Sequence, residues 1–164
     1  MDKIILSYHY SPGFYGEFIL KDLEILDSFD YSIKYFWYFD SKHFPDNEFE
    51  RRQQRRFTKI KDSLPKELEE KLQKILASKF EIIKPEVIKS DKIEYATSAH
   101  PKSEYYKINI QNVDEIVHIP YDISQILIGD GKQFFLDFHT ELQSWLEKEF
   151  EIASEGKAYR FNKK

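Results

Sequence analysis

Apolar and polar positions alternate with a period of two through residues 3–10, where Ile4, Leu6, Tyr8 and Tyr10 share one side. That spacing predicts a strand. The turn signals Pro12-Gly13 and Gly16 follow. "EFILKDLEILD" comes next, and its Ile19, Leu23 and Leu26 also fit helical spacing; it is read as a strand. "YSIKYFWYF" is a clearer strand, with Ile33, Tyr35, Trp37 and Phe39 on one side and Lys34, Phe36 and Tyr38 on the other. Both sides are bulky, which predicts a central strand covered on both faces.

The period then lengthens. Residues 46–64 read as a helix with Pro45-Asp46 at its start, and Glu48 and Glu50 sit where the helix dipole favours acids. Pro65 ends it, and Ser63 is placed to cap a second helix. On that helix Leu68, Leu72, Ile75 and Leu76 form an amphipathic stripe. Strand patterns return at 91–98, 104–110 and 114–119. Asp122 can cap a short turn at 123–128. A long amphipathic helix over 132–151 then gathers Phe134, Phe135, Phe138, Leu142, Trp145 and Leu146 on one arc. Strands, two helices, strands and a final helix predict an α+β fold with a mainly antiparallel sheet of about five to six strands. Residues 1–164 are expected to form a single globular domain with a mobile basic tail at 153–164.

Composition sharpens this picture. Hydrophobic residues at 41% and charged residues at 33% exclude a disordered chain. Fourteen Phe, eleven Tyr and two Trp predict a core of large flat side chains. There is no cysteine, which removes disulfides, thiolate metal sites and cysteine nucleophiles and favours a reducing compartment. The apolar run Ile4 to Leu6 is too short for a signal peptide or a membrane span. The reading is cytoplasmic, with no membrane partner. Abundant Lys, Ile, Phe and Tyr accompany AT-rich, often bacterial, genomes.

The charge distribution is uneven. The chain carries a net −4, yet "FERRQQRRFTKIK" at 49–61 holds six cations and four of the five arginines. Residues 50–61 are +5, leaving −9 elsewhere. On a helix, Arg51, Arg52, Arg55, Arg56 and Lys59 would cover an arc of about 140°. Arg51–Arg55, Arg55–Lys59 and Arg52–Arg56 would then be like-charge i, i+4 pairs, each unfavourable by about 0.2–0.5 kcal/mol. Counter-charges must come from outside that segment. One source is the acids of the strand region, Asp22, Glu24, Asp27, Asp30 and Asp40, which also make a candidate acidic contact surface. The other is a ligand, since the guanidinium fork suits carboxylate and phosphate alike.

Catalytic signatures are incomplete. His9-Tyr-Ser11 spells half of a two-histidine phosphoesterase pair, but His118-Ile-Pro120 and His100-Pro-Lys102 do not complete it. His139-Thr-Glu141 lacks the cysteines that zinc deaminases require, and HExxH is absent. Glu69-Glu-Lys71, Asp130-Gly-Lys132 and Glu155-Gly-Lys157 spell the acid-x-lysine half of a nuclease site but fall on no clear strand. No GxxxxGK[ST], GxGxxG or GxSxG occurs. "GDGK" at 129–132 opens a helix and can offer N–H groups to an anion, although a plain helix start accounts for it as well. No catalytic residue, metal or cofactor is assigned.

The expectation is therefore a non-enzymatic protein-binding module. Its organisation (small, acidic, cysteine-free, aromatic-rich, α+β) is similar to that of toxin-neutralising immunity proteins and related inhibitors, with no shared motif. The alternative is an RNA-associated, nucleic-acid-binding domain using Arg51, Arg52, Arg55, Arg56 and Lys59. A third class, an enzyme with an unfamiliar site around His9 and Ser11, stays open.

Overall fold

A computed structural model of the chain describes residues 2–12, 19–39, 49, 53–82, 103–110, 113–118 and 127–159. Its elements run β1 (Ile4–Ser11), β2 (Leu20–Leu26), β3 (Asp30–Tyr38), β4 (Arg55–Ser63), α1 (Lys66–Ala77), β5 (Glu81–Ile82), β6 (Ser103–Ile110), β7 (Val113–His118), β8 (Leu127–Ile128) and α2 (Gly131–Ala153). Six strands form one antiparallel sheet in the order β4-β3-β2-β1-β6-β7, while β5 and β8 pair separately. The α+β reading holds. The expected 91–98 strand and the Asp122 cap lie outside the described residues.

The period-two pattern decides which side of the sheet is inside. Leu6, Tyr8, Leu23, Ile25, Ile33, Tyr35, Tyr106 and Ile108 are all buried on one face. Lys21 joins them, and its inward position broke the apolar alternation of β2 in the sequence. Its ammonium lies 3.4 Å from Glu147 Oε2 and 5.6 Å from the centre of the Tyr10 ring. Leu26, by contrast, lies on the other face. The β2–β3 turn places Phe29 at φ 63°, a conformation most side chains avoid. The packing of its ring against the core offsets that cost.

Helix α2 crosses this inner face strand by strand. Phe135 meets the Tyr106 ring of β6 at 5.1 Å, and Phe150 meets Tyr35 of β3 at 5.1 Å. Three fully buried tyrosines send their hydroxyls upward. Tyr8 donates to Glu104 Oε1 at 2.8 Å, with Gln143 Oε1 3.4 Å away. Tyr35 donates to the Leu146 carbonyl at 3.0 Å, and the Tyr106 hydroxyl is hydrogen-bonded to His139 Nδ1 at 2.7 Å. Burial pushes all three phenols well above their ordinary range. Phe134, expected on the buried arc, is exposed, whereas Phe150 lies inside it. Helix α1 packs against α2 through Leu68, Leu72 and Ile75. Between them Gly131 is obligatory, because a Cβ there would lie 2.2 Å from Ser78 Oγ.

Three expectations need correction. Residues 55–63 form strand β4, not the second half of a helix over 46–64; Phe49 and Gln53 are helical, and the chain is extended from Arg55. Among the described residues the named helices are therefore two, α1 and α2. A strand removes the like-charge i, i+4 pairs and lets Phe57, Thr58 and Ile60 pair with Phe36, Tyr35 and Ile33. Second, among the described residues β3 is covered on one face only. Third, Ser63 does not cap α1; Pro65 occupies the cap without a side-chain bond, and Ser63 Oγ donates to Asp30 Oδ1 at 2.8 Å. Beyond α2, Ala158 bridges Phe39, and the Tyr159 N–H donates to the Tyr38 carbonyl at 2.7 Å.

The end of α2 is a Schellman turn, with the Gly156 N–H donating to Glu151 O and the Glu155 N–H to Ile152 O, both at 3.1 Å. Glu155, at φ 52°, occupies the left-handed position that glycine prefers. Glu155→Gly is expected to raise Tm by about 2–4 °C in a thermal melt. His139 supplies a second prediction. Burial holds its imidazole below the usual value of 6.5, against a smaller opposing effect of Glu104. A depressed histidine adds stability that is complete above its unfolded value and is lost as pH falls through the folded one. Tm should fall more steeply from about pH 7 to about pH 5 in the wild type than in His139→Gln.

Candidate functional site

With both helices on the inner face, the outer face of the sheet is left uncovered among the described residues. Strand register sorts its side chains into transverse rows. Tyr38 lies opposite Arg55, Phe36 opposite Phe57, Lys34 opposite Lys59, and Ser32 opposite Lys61. The third of these rows continues from Lys34 through Asp22 on β2 and His9 on β1 to Tyr105 on β6.

The β3–β4 end of this face joins exposed aromatics to cations. Phe36 and Phe57 are 46% and 55% exposed and contact one another with ring centres 4.9 Å apart. Beside them Arg55 Nε donates to the Tyr38 hydroxyl at 3.0 Å, and its guanidinium lies 5.8 Å from that ring's centre. On the other side stand Lys34, Lys59 and Lys61. A shallow depression of about 540 Å³ continues beyond them, lined by Glu24, Asp30, Ser32, Lys59, Lys61 and Asp62.

Among the described residues, internal ion pairing does not account for these cations. Among the described residues, no carboxylate lies within ion-pair distance of Lys34, Arg55, Lys59 or Lys61. Asp22 faces Lys34 in register, but its carboxylate turns to the other side, 2.5 Å from His9 Nδ1. Asp27 Oδ1 accepts the Lys3 N–H at 3.2 Å, and Asp30 accepts from Ser63 and Ser28. Lys34 and Lys59 stand directly opposite, an arrangement that destabilises a sheet.

The five predicted basic residues are therefore not one patch. Arg55 and Lys59 share the outer face. Arg56 points to the opposite side, where Nη1 donates to the Gln53 and Arg55 carbonyls at 3.0 Å and the guanidinium sits 5.4 Å from the centre of the Phe39 ring. Arg51, Arg52 and Asp40 lie outside the described residues. Of the predicted acids, Asp22 and Glu24 belong to the middle of the outer face, and Asp27 and Asp30 to its hairpin end. The sequence reading missed Phe36, Phe57, Lys34 and Lys61. Phe57 sat in view inside the basic run, where the helical reading singled out only the cations.

At the β7 end of the face, cation and carboxylate pair with one another. A second depression, of about 380 Å³, is lined by Lys3, Ser7, Glu24, Lys107, Asn109 and Asp114. There Lys107 pairs with Asp114 at 3.1 Å, and the Asn109 amide donates to Asp114 at 2.7 Å. Those two contacts hold the Asp114 carboxyl below the usual range. His9 is oriented by Asp22 and stacks on Tyr105 at 5.1 Å, with Ser11 and Ser103 paired in the next row. The Gly131 N–H donates to the Lys79 carbonyl at 2.9 Å and the Lys132 N–H to Gly129 O at 3.2 Å, so those N–H groups of "GDGK" are used within the fold. Among the described residues, no cluster of three or more His, Asp or Glu has metal-binding geometry. No described helix is long and apolar enough to cross a membrane.

The fold and face together define an α+β protein with an open-faced antiparallel sheet. Compared with protein-family models, with curated proteins and with solved structures, the chain matches none.

Like-charge repulsion across β3 and β4 is directly testable. Lys59→Gln should leave stability unchanged or raise it by up to about 0.5 kcal/mol in urea denaturation.

Proposed function

We propose that the protein is a non-enzymatic binding module that acts by docking another protein on the open face of its sheet, as an inhibitor or immunity-type protein does. The Phe36–Phe57 pair carries this reading. Two aromatic rings in mutual contact, each about half exposed, lose apolar surface to water unless something covers them. Aromatic residues and arginine are the side chains that most often anchor protein interfaces, and Tyr38 and Arg55 adjoin the pair. The stiff hydrogen-bonded sheet beneath holds these anchors in place before binding, which lowers the entropy that association costs.

The decisive comparison is between tagged wild type and the Phe36→Ser/Phe57→Ser double variant, used to capture partners from extract of the native host. Both rings lie outside the core, so the variant should melt within a few degrees of wild type. A specific protein should be retained by wild type and lost, by at least tenfold (about 1.4 kcal/mol), from the variant. Equal capture by both would overturn the docking reading. Capture abolished by nuclease treatment would move the assignment to nucleic acid.

A further inference from the structure

We infer that the partner surface meeting the β3–β4 end is acidic: a protein segment whose carboxylates bridge Lys34, Lys59 and Lys61 while an apolar side chain covers the Phe36–Phe57 pair. This rests on the docking reading and specifies the chemistry of the partner.

Three observations carry it. Lys34 and Lys59 are directly opposed across neighbouring strands, and Lys61 follows on the same face. Such a like-charge pair costs stability in the free protein. No described carboxylate lies within ion-pair distance of any of the three. Asp22, the acid that register brings nearest to Lys34, is held on its far side by His9 at 2.5 Å. Among the described residues, a cation group thus stands without an ion-pair partner beside exposed rings, while the corresponding cation across the face, Lys107, is paired with Asp114.

A carboxylate segment fits better than a nucleic-acid strand. The chain as a whole is −4, so its long-range field opposes an extended polyanion. Glu24, Asp30 and Asp62 also line the depression next to the lysines and would meet the phosphates of any strand that continued past them. A short acidic segment avoids them, because its charge ends where the lysines end. Its attraction should reach about 10 Å at 0.1 M salt and fade above that ionic strength.

Fluorescence anisotropy provides the test, with three labelled probes: a twelve-residue peptide interspersing Glu and Asp with Leu and Phe, its counterpart with Gln and Asn replacing the acids, and a dT12 oligonucleotide. The acidic peptide should bind wild type, lose about tenfold in affinity to Lys34→Glu/Lys59→Glu, and weaken severalfold from about 50 to about 300 mM NaCl. Lys34→Gln/Lys59→Gln guards against misfolding of the reversed variant. It should melt at or above the wild-type temperature and still bind the acidic peptide more weakly. Equal binding of the acidic and amide peptides, or no effect of either lysine double variant, would overturn the inference. Tighter binding of dT12 than of the acidic peptide would replace the acidic protein segment with a nucleic acid. If host-partner capture survives Lys34→Gln/Lys59→Gln but fails in Phe36→Ser/Phe57→Ser, docking stands and the acidic chemistry falls.

Discussion

Helix α2 lying across the inner face of the sheet is the interaction on which the rest depends. Its buried residues and polar side chains meet four strands in spatial order: Phe135 and His139 over β6, Gln143 over β1, Glu147 at Lys21 of β2, then Leu146 and Phe150 over β3. Large rings alone would leave this layer free to slide. The hydroxyls of Tyr35 and Tyr106 prevent that, because each needs its partner on α2 at a fixed place and a buried phenol without one costs about 1–3 kcal/mol. Aromatic bulk supplies the area, and hydroxyl bonds supply the register of helix on sheet.

Commitment of the inner face to the helices decides what the outer face is for. A sheet covered on one side shows every second residue to solvent, and here those residues include Phe36, Phe57 and a row of lysines. The two depressions on this face differ instructively. Lys107 and Asp114 satisfy one another at the β7 end, whereas Lys34 and Lys59 face each other at the β4 end. The asymmetry is electrostatic: among the described residues, the cation at one end of the face has its carboxylate and the opposed pair at the other end does not.

How much of this could be read from the chain depended on whether a segment's pattern had one solution. The 3–10 and 31–39 alternations had one, and both became strands with the expected residues inside, except Ile4, which a register shift before Leu6 leaves exposed. The repeat of Leu68, Leu72 and Ile75 had one, and it became α1. The region 46–64 had two. Its arginines and glutamines suit a helix, its Phe57, Thr58 and Ile60 suit a strand, and the like-charge spacing that troubled the helical reading was itself a sign of the answer. The inward Lys21 was illegible for another reason: a lysine is placed in a core only where a partner such as Glu147 awaits it, 126 residues away in sequence.

The sequence by itself determined the fold class, the tyrosine- and phenylalanine-rich core, most of the strand faces and the long final helix, because these follow from periodicity and side-chain volume within a single segment. Tertiary structure alone decided that residues 55–63 are extended, since the hydrogen bonds that favour that state belong to β3. It alone decided that Arg55 and Arg56 part company, that Asp22 turns to His9 and away from Lys34, and that two phenylalanines from strands twenty residues apart meet on an open face. Each of these is a pairing between distant segments, and a pairing energy is a property of neither partner alone.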